Sequence, residues 1–365
     1  MNNIFGNYNP LSILYTNASK LLISSSPQTN YIKRLDNSTK TINNLNLMIF
    51  DMNGVLKIGK EPLEIAKNTF NKLTEQNIPI CIITNECRNT PKTISKELKQ
   101  MGYNINPNIK VFSASLLMLN KVDRIISKFI DNNPYKKKIN FGIISEQSFY
   151  QYIKQNTINK YNNVKFYWIY DNIQPNNIDY FIIGSIDNND ELLNNITRFN
   201  KWIETNQKAK YLLTRSDIIT VENMKNVINI YPKMIIQLII NLKKDDIIKE
   251  TDIKIQKKKE ENLLIFKNYL NYYTQILSKP NTKYFKQQIE SFYGLEFNKV
   301  NKKNNKILLI GDNINTDIKF ANKLNISSCL VLSGVTKYKD LKQINDENII
   351  KKIDYILPDI SYLLD

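Results

Sequence analysis

Residues 45–56 read LNLMIFDMNGVL, a short apolar run followed by Asp51 and a Met-Asn-Gly-Val-Leu turn. A run this short and this apolar suits a parallel strand buried on both faces, which delivers Asp51 to a tight loop at its carboxyl end. Beyond it, residues 64–75 have helical spacing, residues 78–83 form a second apolar run ending at Thr84 and Asn85, and residues 91–101 form a helix closed by Gly102. Alternation of this kind predicts an α/β fold with a parallel, Rossmann-like sheet and right-handed crossovers.

The same pattern returns after Ser278-Lys279-Pro280. Residues 281–293 read as a helix, KILLI at 306–310 as a strand ending in Gly311-Asp312, 318–324 as a helix and 329–332 as a strand, and Gly334 opens a loop. Between the two halves the spacing is looser. FGIIS (141–145), YFIIG (180–184) and YLLT (211–214) read as strands of a second, smaller α/β unit inserted into the first. The expected division is an extension at 1–44, a core at 45–105 and 278–365, and an inserted unit at 106–277 with a charged helical insertion near 218–275. The mixed-sign run at 243–261 reads as a solvated helix face, and Tyr272 and Tyr273 are expected to face a core.

Composition removes several chemistries. Histidine is absent from all 365 residues, which excludes Ser-His or Cys-His nucleophile pairs and His-ligated zinc. Cys81, Cys87 and Cys329 lack metal-ligand spacing, and so few cysteines suit a reducing compartment. No apolar stretch is long enough for a membrane span. The net charge of +17 accompanies scattered lysines in an Asn-, Lys- and Ile-rich chain, so nucleic acid is not the expected partner. The first 46 residues are rich in Ser, Asn and Thr, with Asp36 their single acidic residue. They faintly suggest an organellar transit segment, but residues 11–23 read equally well as a helix packed on the body, and an ordered extension is the favoured expectation. The expected compartment is the cytoplasm, with mitochondria as the alternative.

Asp51, Thr84 and Asp312 all stand at carboxyl ends of parallel strands, where open α/β sheets bind ligands. Thr84 and the backbone after it offer donors suited to phosphate oxygens, and Lys279 offers a cation. Asp312 and Asp317 add carboxylates to that of Asp51. Three carboxylates near one point repel unless a cation lies among them, and an oxygen-only site favours Mg²⁺. A single Asp after an apolar strand is often only a helix cap. The order and placement of the whole set carry the reading.

The set resembles the haloacid dehalogenase superfamily. Its motifs are matched by MIFDMNGVL (48–56), ICIITNECR (80–88), Ser278-Lys279-Pro280, and LLIGDNINTDI (308–318) followed by VLSGVT (331–336). The Thr-Asn pair, the Lys-Pro pair and LSGVT resemble the p-nitrophenylphosphatase-like subfamily, which carries a large α/β cap in the slot of the inserted unit. The resemblance covers roughly 45–335. It implies that Asp51 is the nucleophile forming an aspartyl-phosphate and also a Mg²⁺ ligand. The Asn53 carbonyl and Asp312 would complete the metal's protein ligands, with Asp317 supporting the metal or Lys279. Thr84 and Asn85 would hold the phosphoryl oxygens, and Lys279 would balance charge.

The chain also departs from that pattern. The family's general acid/base aspartate is here Asn53, whose amide cannot exchange a proton at neutral pH. Ser278 replaces a glycine, and no Gly-rich substrate loop follows Thr214-Arg215-Ser216-Asp217. Two expectations follow. One is a weakly active hydrolase of small phosphorylated metabolites. The other is a catalytically degenerate protein that binds phosphate or serves a larger assembly, with protein partners met through the extension and the cap insertion.

Overall fold

The computed structural model describes residues 44–364, apart from 77, 134–137, 172, 187–191, 216–231, 300–305 and 344–351. The extension at 1–43, its expected helix and the first part of the charged insertion therefore lie outside the described residues.

The chain begins with β1 (Leu47–Phe50), a small antiparallel hairpin of β2 (Lys57–Ile58) and β3 (Glu61–Pro62), α1 (Glu64–Glu75), β4 (Ile80–Thr84), α2 (Pro91–Gln100) and β5 (Lys110–Ser113). Helix α2 starts where Thr90 accepts a hydrogen bond from the Thr93 N–H and Pro91 takes the first turn, both ordinary start signals. After α3 (Ala114–Asn132) come β6 (Ile139–Ile144), α4 (Gln147–Ile158), β7 (Val164–Trp168), β8 (Tyr180–Ile183), α5 (Leu192–Thr205) and β9 (Lys210–Leu213). A helical pair, α6 (Pro232–Ile248) and α7 (Ile253–Tyr273), leads into β10 (Thr274–Ile276). The last segment holds α8 (Lys283–Tyr293), β11 (Ile307–Gly311), a π-helical turn at Ile314–Ile318, α9 (Lys319–Leu324), β12 (Ser327–Val331), α10 (Tyr338–Gln343) and β13 (Tyr355–Leu357).

Two parallel sheets result. The first has the order β13-β12-β11-β1-β4-β5 and the second β10-β9-β8-β6-β7. Strands β1, β4 and β11 are buried along their whole length, as their unbroken apolar runs require. Strand β1 lies between β4 and β11, so the connections run outward in opposite directions from it, and a crevice opens at the carboxyl ends. Leu117, Met118, Val122 and Ile126 of α3 join Leu47 and Ile49 of the first sheet and Phe141 and Ile143 of the second in one continuous apolar cluster. That shared core fixes the cap to the main body.

Two expectations need correction. Strand β5 pairs with β4, so the chain leaves the first sheet after Ser113 rather than near residue 105. KVFS runs straight into a helix and hides the strand within one loosely patterned stretch. Tyr272 is 80% exposed, because α7 buries its opposite side through Leu263 and Leu270. The charged run at 243–261 is exposed over most of its described length. Among the described residues, no helix is long and apolar enough to cross a membrane.

Candidate active site

Asp51 leaves β1 with its backbone N–H bonded to the Ile310 carbonyl of β11 at 2.8 Å, which pins it to the centre of the sheet. The turn after it closes by Gly54 N–H to Lys57 O (2.7 Å) and Leu56 N–H to Met52 O (2.9 Å). Gly54 adopts φ +81°, and a Cβ there would lie 2.1 Å from Asp312 Oδ2. A Cβ on Gly334 would lie 1.8 Å from the same oxygen. Both glycines let two loops close around one carboxylate. Gly334→Ala should therefore displace Asp312, costing about 1–3 kcal/mol of stability and weakening divalent-cation binding about 10- to 100-fold. Calorimetric titration with Mg²⁺ checks this, and an unchanged affinity would show that the contact does not hold Asp312.

Lys279, only 2% exposed, donates from Nζ to Asp51 Oδ1 and to Asp317 Oδ1, each at 2.6 Å. Its backbone is gripped by Asn85, whose Nδ2 donates to Lys279 O (3.2 Å) while its Oδ1 accepts from Lys279 N–H (3.0 Å). The Asn85 side chain thus orients the lysine, although the residue also lines the crevice. Thr84 is buried at the end of β4, and its hydroxyl accepts from the Glu86 N–H at 3.1 Å. Asp317 stands on the π-helical turn, a feature frequent at functional sites. Its second oxygen accepts from the Asn313 N–H at 3.1 Å. Asp312 Oδ2 accepts from the Val335 N–H at 2.6 Å.

Oxygens of Asp51, Asp312 and Asp317 all lie within 4.8 Å of one another, close enough for one hard cation to reach them. Burial pushes Asp51 up to about 7, with Lys279 pulling down and Asp317 pushing up. Burial, then the charges of Asp51 and Asp317, push Asp312 well above the carboxylate range. For Lys279, burial alone would depress the ammonium, but its two carboxylates hold it above the ordinary value. One buried lysine does not neutralise three buried carboxylates. The raised carboxyls of Asp51 and Asp312 are the response to that burial and crowding, and a divalent cation on this all-oxygen donor set would take the place of their protons.

Asp51, Asn53, Thr84, Asn85, Lys279 and Asp312 line one crevice, so strands far apart in sequence bring these expected site residues together. Asp317 stands just behind, on Lys279. Of the lining residues that received no role from the sequence, two are charged: Glu86 in the loop after β4, and Arg215 just past β9 of the cap. Their positions, each two residues beyond a strand end, are the signal that could have found them.

Residues 48–137 match a family model for haloacid dehalogenase-like hydrolases, and residues 276–363 match a model for HAD-hydrolase-like domains. Among solved structures, a possible sugar phosphatase of the HAD superfamily from Cytophaga hutchinsonii is 16% identical, with 89% of this chain and 98% of that one covered at a TM-score of 0.62. A 4-nitrophenylphosphatase from Thermotoga maritima is 15% identical, covering 88% and 97% at a TM-score of 0.59. The p-nitrophenyl phosphatase from Archaeoglobus fulgidus is 16% identical, covering 88% and 98% at 0.58. At these identities the likeness is one of fold, inserted cap included. Comparison with curated protein sequences finds no match.

Proposed function

We propose that this chain, a member of the haloacid dehalogenase superfamily with the fold of its p-nitrophenylphosphatase-like branch, is a Mg²⁺-dependent phosphomonoester hydrolase slowed by Asn53. The observation that carries the reading is Lys279 held at 2.6 Å from both Asp51 and Asp317, beside Asp312, at the carboxyl ends of the central strands. Asp51, Asp312 and the backbone carbonyl of Asn53 would hold the metal, which supplies neutralising charge to the phosphoryl oxygens. Asp317 acts from behind by orienting Lys279.

Asp51 attacks phosphorus in line, the ester oxygen departs with its electron pair, and the phosphoryl group is left on the Asp51 carboxylate. Lys279 and the Thr84 hydroxyl stabilise charge on the transferring group. The leaving oxygen meets the Asn53 amide, which can donate a hydrogen bond but no proton. Water attack on the aspartyl-phosphate then lacks a base at residue 53, and this second step is the slow one. Asn53 equally favours a second reading, in which the site binds a phosphate group without turning it over.

The test is calorimetric binding of inorganic phosphate to the full chain with and without Mg²⁺, alongside hydrolysis of p-nitrophenyl phosphate. Mg²⁺-dependent phosphate binding with slow release of nitrophenol, lost in Asp51→Asn, is expected. Binding without any release favours the second reading, and no Mg²⁺-dependent binding at all sinks both.

A pH dependence follows. With the Asp51 carboxyl near 7 in the metal-free protein, protons compete with the cation below neutrality. The metal-free folded state binds a proton there that the unfolded chain has already released. Its stability therefore falls as pH rises from about 4 towards 7, and added Mg²⁺ reverses that trend. Mg²⁺ affinity should drop about tenfold from pH 8 to pH 6 through Asp51 alone. A flat affinity over that range would contradict the raised Asp51.

A further inference from the structure

Cations scattered through the sequence converge at the joint between core and cap. Positions 121, 124 and 128 follow helical spacing, which puts Lys121, Arg124 and Lys128 on one face of α3. Lys283 opens α8 of the core, and Lys210 opens β9 of the cap. Two tyrosines tie these elements together. The ammoniums of Lys121 and Lys283 lie 5.6 and 5.9 Å from the centre of the Tyr284 ring, and that of Lys210 lies 5.7 Å from Tyr180. Arg124 reaches α8 by donating from Nη1 to Gln287 Oε1 at 2.5 Å. These charges feel one another: burial, then Lys283, Arg124, Lys128 and Lys210, hold the Lys121 ammonium below its ordinary value. Among the described residues, none of the five cations meets a carboxylate at ion-pair distance. Asp123 of α3 instead holds Lys160 at 2.8 Å, Glu290 of α8 lies 3.8 Å from Lys286, and Asp131, a turn beyond Lys128, pairs with none of them. Gathered cations without a counter-charge repel, and a bound anion relieves that repulsion.

We infer that this junction binds a compact, multiply charged anion of the oligophosphate class, at a site separate from the catalytic crevice. Lys210 and Tyr180 stand at the amino ends of their strands, whereas the crevice lies beyond the carboxyl end of β9. From Lys121 to Lys128 is about 10 Å along α3, a length that a short chain of phosphoryl groups covers. Five positive charges exceed what one phosphate, with its charge of about −2, can balance. Single-stranded nucleic acid is held by bases stacked on aromatic faces. Here Tyr284 is 8% exposed and both rings already face ammoniums, so the site offers no such platform. Arg124, Lys128, Lys210 and Lys283 are exposed and Lys121 is half-buried, so the anion needs no opening of the fold. Touching α3, α8 and β9 together, it holds cap to core.

The test is calorimetric titration of the full chain with tripolyphosphate, in chelator and without Mg²⁺, so that the carboxylates of the crevice repel the probe. One tripolyphosphate per chain is expected. Lys121→Gln/Arg124→Gln/Lys283→Gln should weaken its binding about 10- to 100-fold, the combined worth of three exposed charge pairs. Lys254→Gln/Lys257→Gln/Lys258→Gln removes the same charge from the exposed start of α7 and should change affinity less than about twofold, because distant charges are screened. Should the first variant not fold, Arg124→Gln/Lys128→Gln/Lys283→Gln, at exposed positions only, carries the test. Absence of binding by wild type, or an equal loss in the two charge-matched variants, overturns the site. A short oligothymidylate or an acidic peptide that binds more tightly than tripolyphosphate, and is lost in the same variant, overturns the compact ligand. The crevice residues are untouched throughout, so none of these outcomes depends on the catalytic reading.

Discussion

Asn53→Asp is expected to raise Mg²⁺-dependent hydrolysis of p-nitrophenyl phosphate about 10²- to 10⁴-fold, the usual worth of general acid/base assistance. The exchange is nearly isosteric, and the loop does not depend on the amide. Its shape is set by the Gly54–Lys57 and Leu56–Met52 backbone bonds and by the φ of Gly54. Residue 53 is half-buried and lines the crevice with Asp51, so a carboxyl there reaches the same space as the departing oxygen. A fourth acid beside Asp51 and Asp312 would have its own proton affinity raised by like charge, which suits a group that must donate and then accept. The same repulsion should lower stability without Mg²⁺. Steady-state rates of wild type, Asn53→Asp and Asn53→Asp/Asp51→Asn decide the matter. A gain that vanishes with Asp51 supports a sound scaffold limited at one position. A wild type already turning over at tens per second, an ordinary enzyme rate, would show that Asn53 does not limit the reaction.

Lys279→Met should cost about 3–5 kcal/mol of folding stability in metal-free protein, the penalty for breaking a buried ion pair from one side. Lys279 is 2% exposed, and its partners' side chains are 11% and 1% exposed, so water can replace little of the lost bonding. Asp51 and Asp317 would be left facing each other and Asp312 across a cluster only 4.8 Å wide. Added Mg²⁺ should return part of the loss by supplying the missing positive charge. The double variant Lys279→Met/Asp317→Asn should be less destabilised than the sum of its parts, because the second change removes the stranded carboxylate. Urea unfolding with and without Mg²⁺ measures all three. A loss under about 1 kcal/mol, typical of an exposed pair, would mean the lysine is not the counter-charge of this cluster.

Much of the site was legible because strand ends are a local property. An apolar run stops at its first polar residue, and a parallel sheet puts every such stop on one edge, which located Asp51, Thr84 and Asp312 from sequence alone. Lys279 and Asp317 came with their neighbours in the motifs. The cap was legible only in part. Edge strand β7 (VKFYW) is only partly buried, and β10 has three residues, so neither shows the long apolar run that marked Phe141 or Phe181. The first sheet's last strand, β13, is equally short.

The sequence by itself determined the parallel α/β core, the inserted cap, the carboxylates at the strand ends and the amide of Asn53 two positions after Asp51, because each depends on residues within a few positions of one another. Only the tertiary structure decided who holds whom. Lys279 reaches Asp51 across 228 positions and is clasped by Asn85 across 194. Arg215 enters the crevice because the cap sheet stands over it. Side-chain direction at such distances is set by how two sheets pack around α3, and no local pattern of residues encodes that.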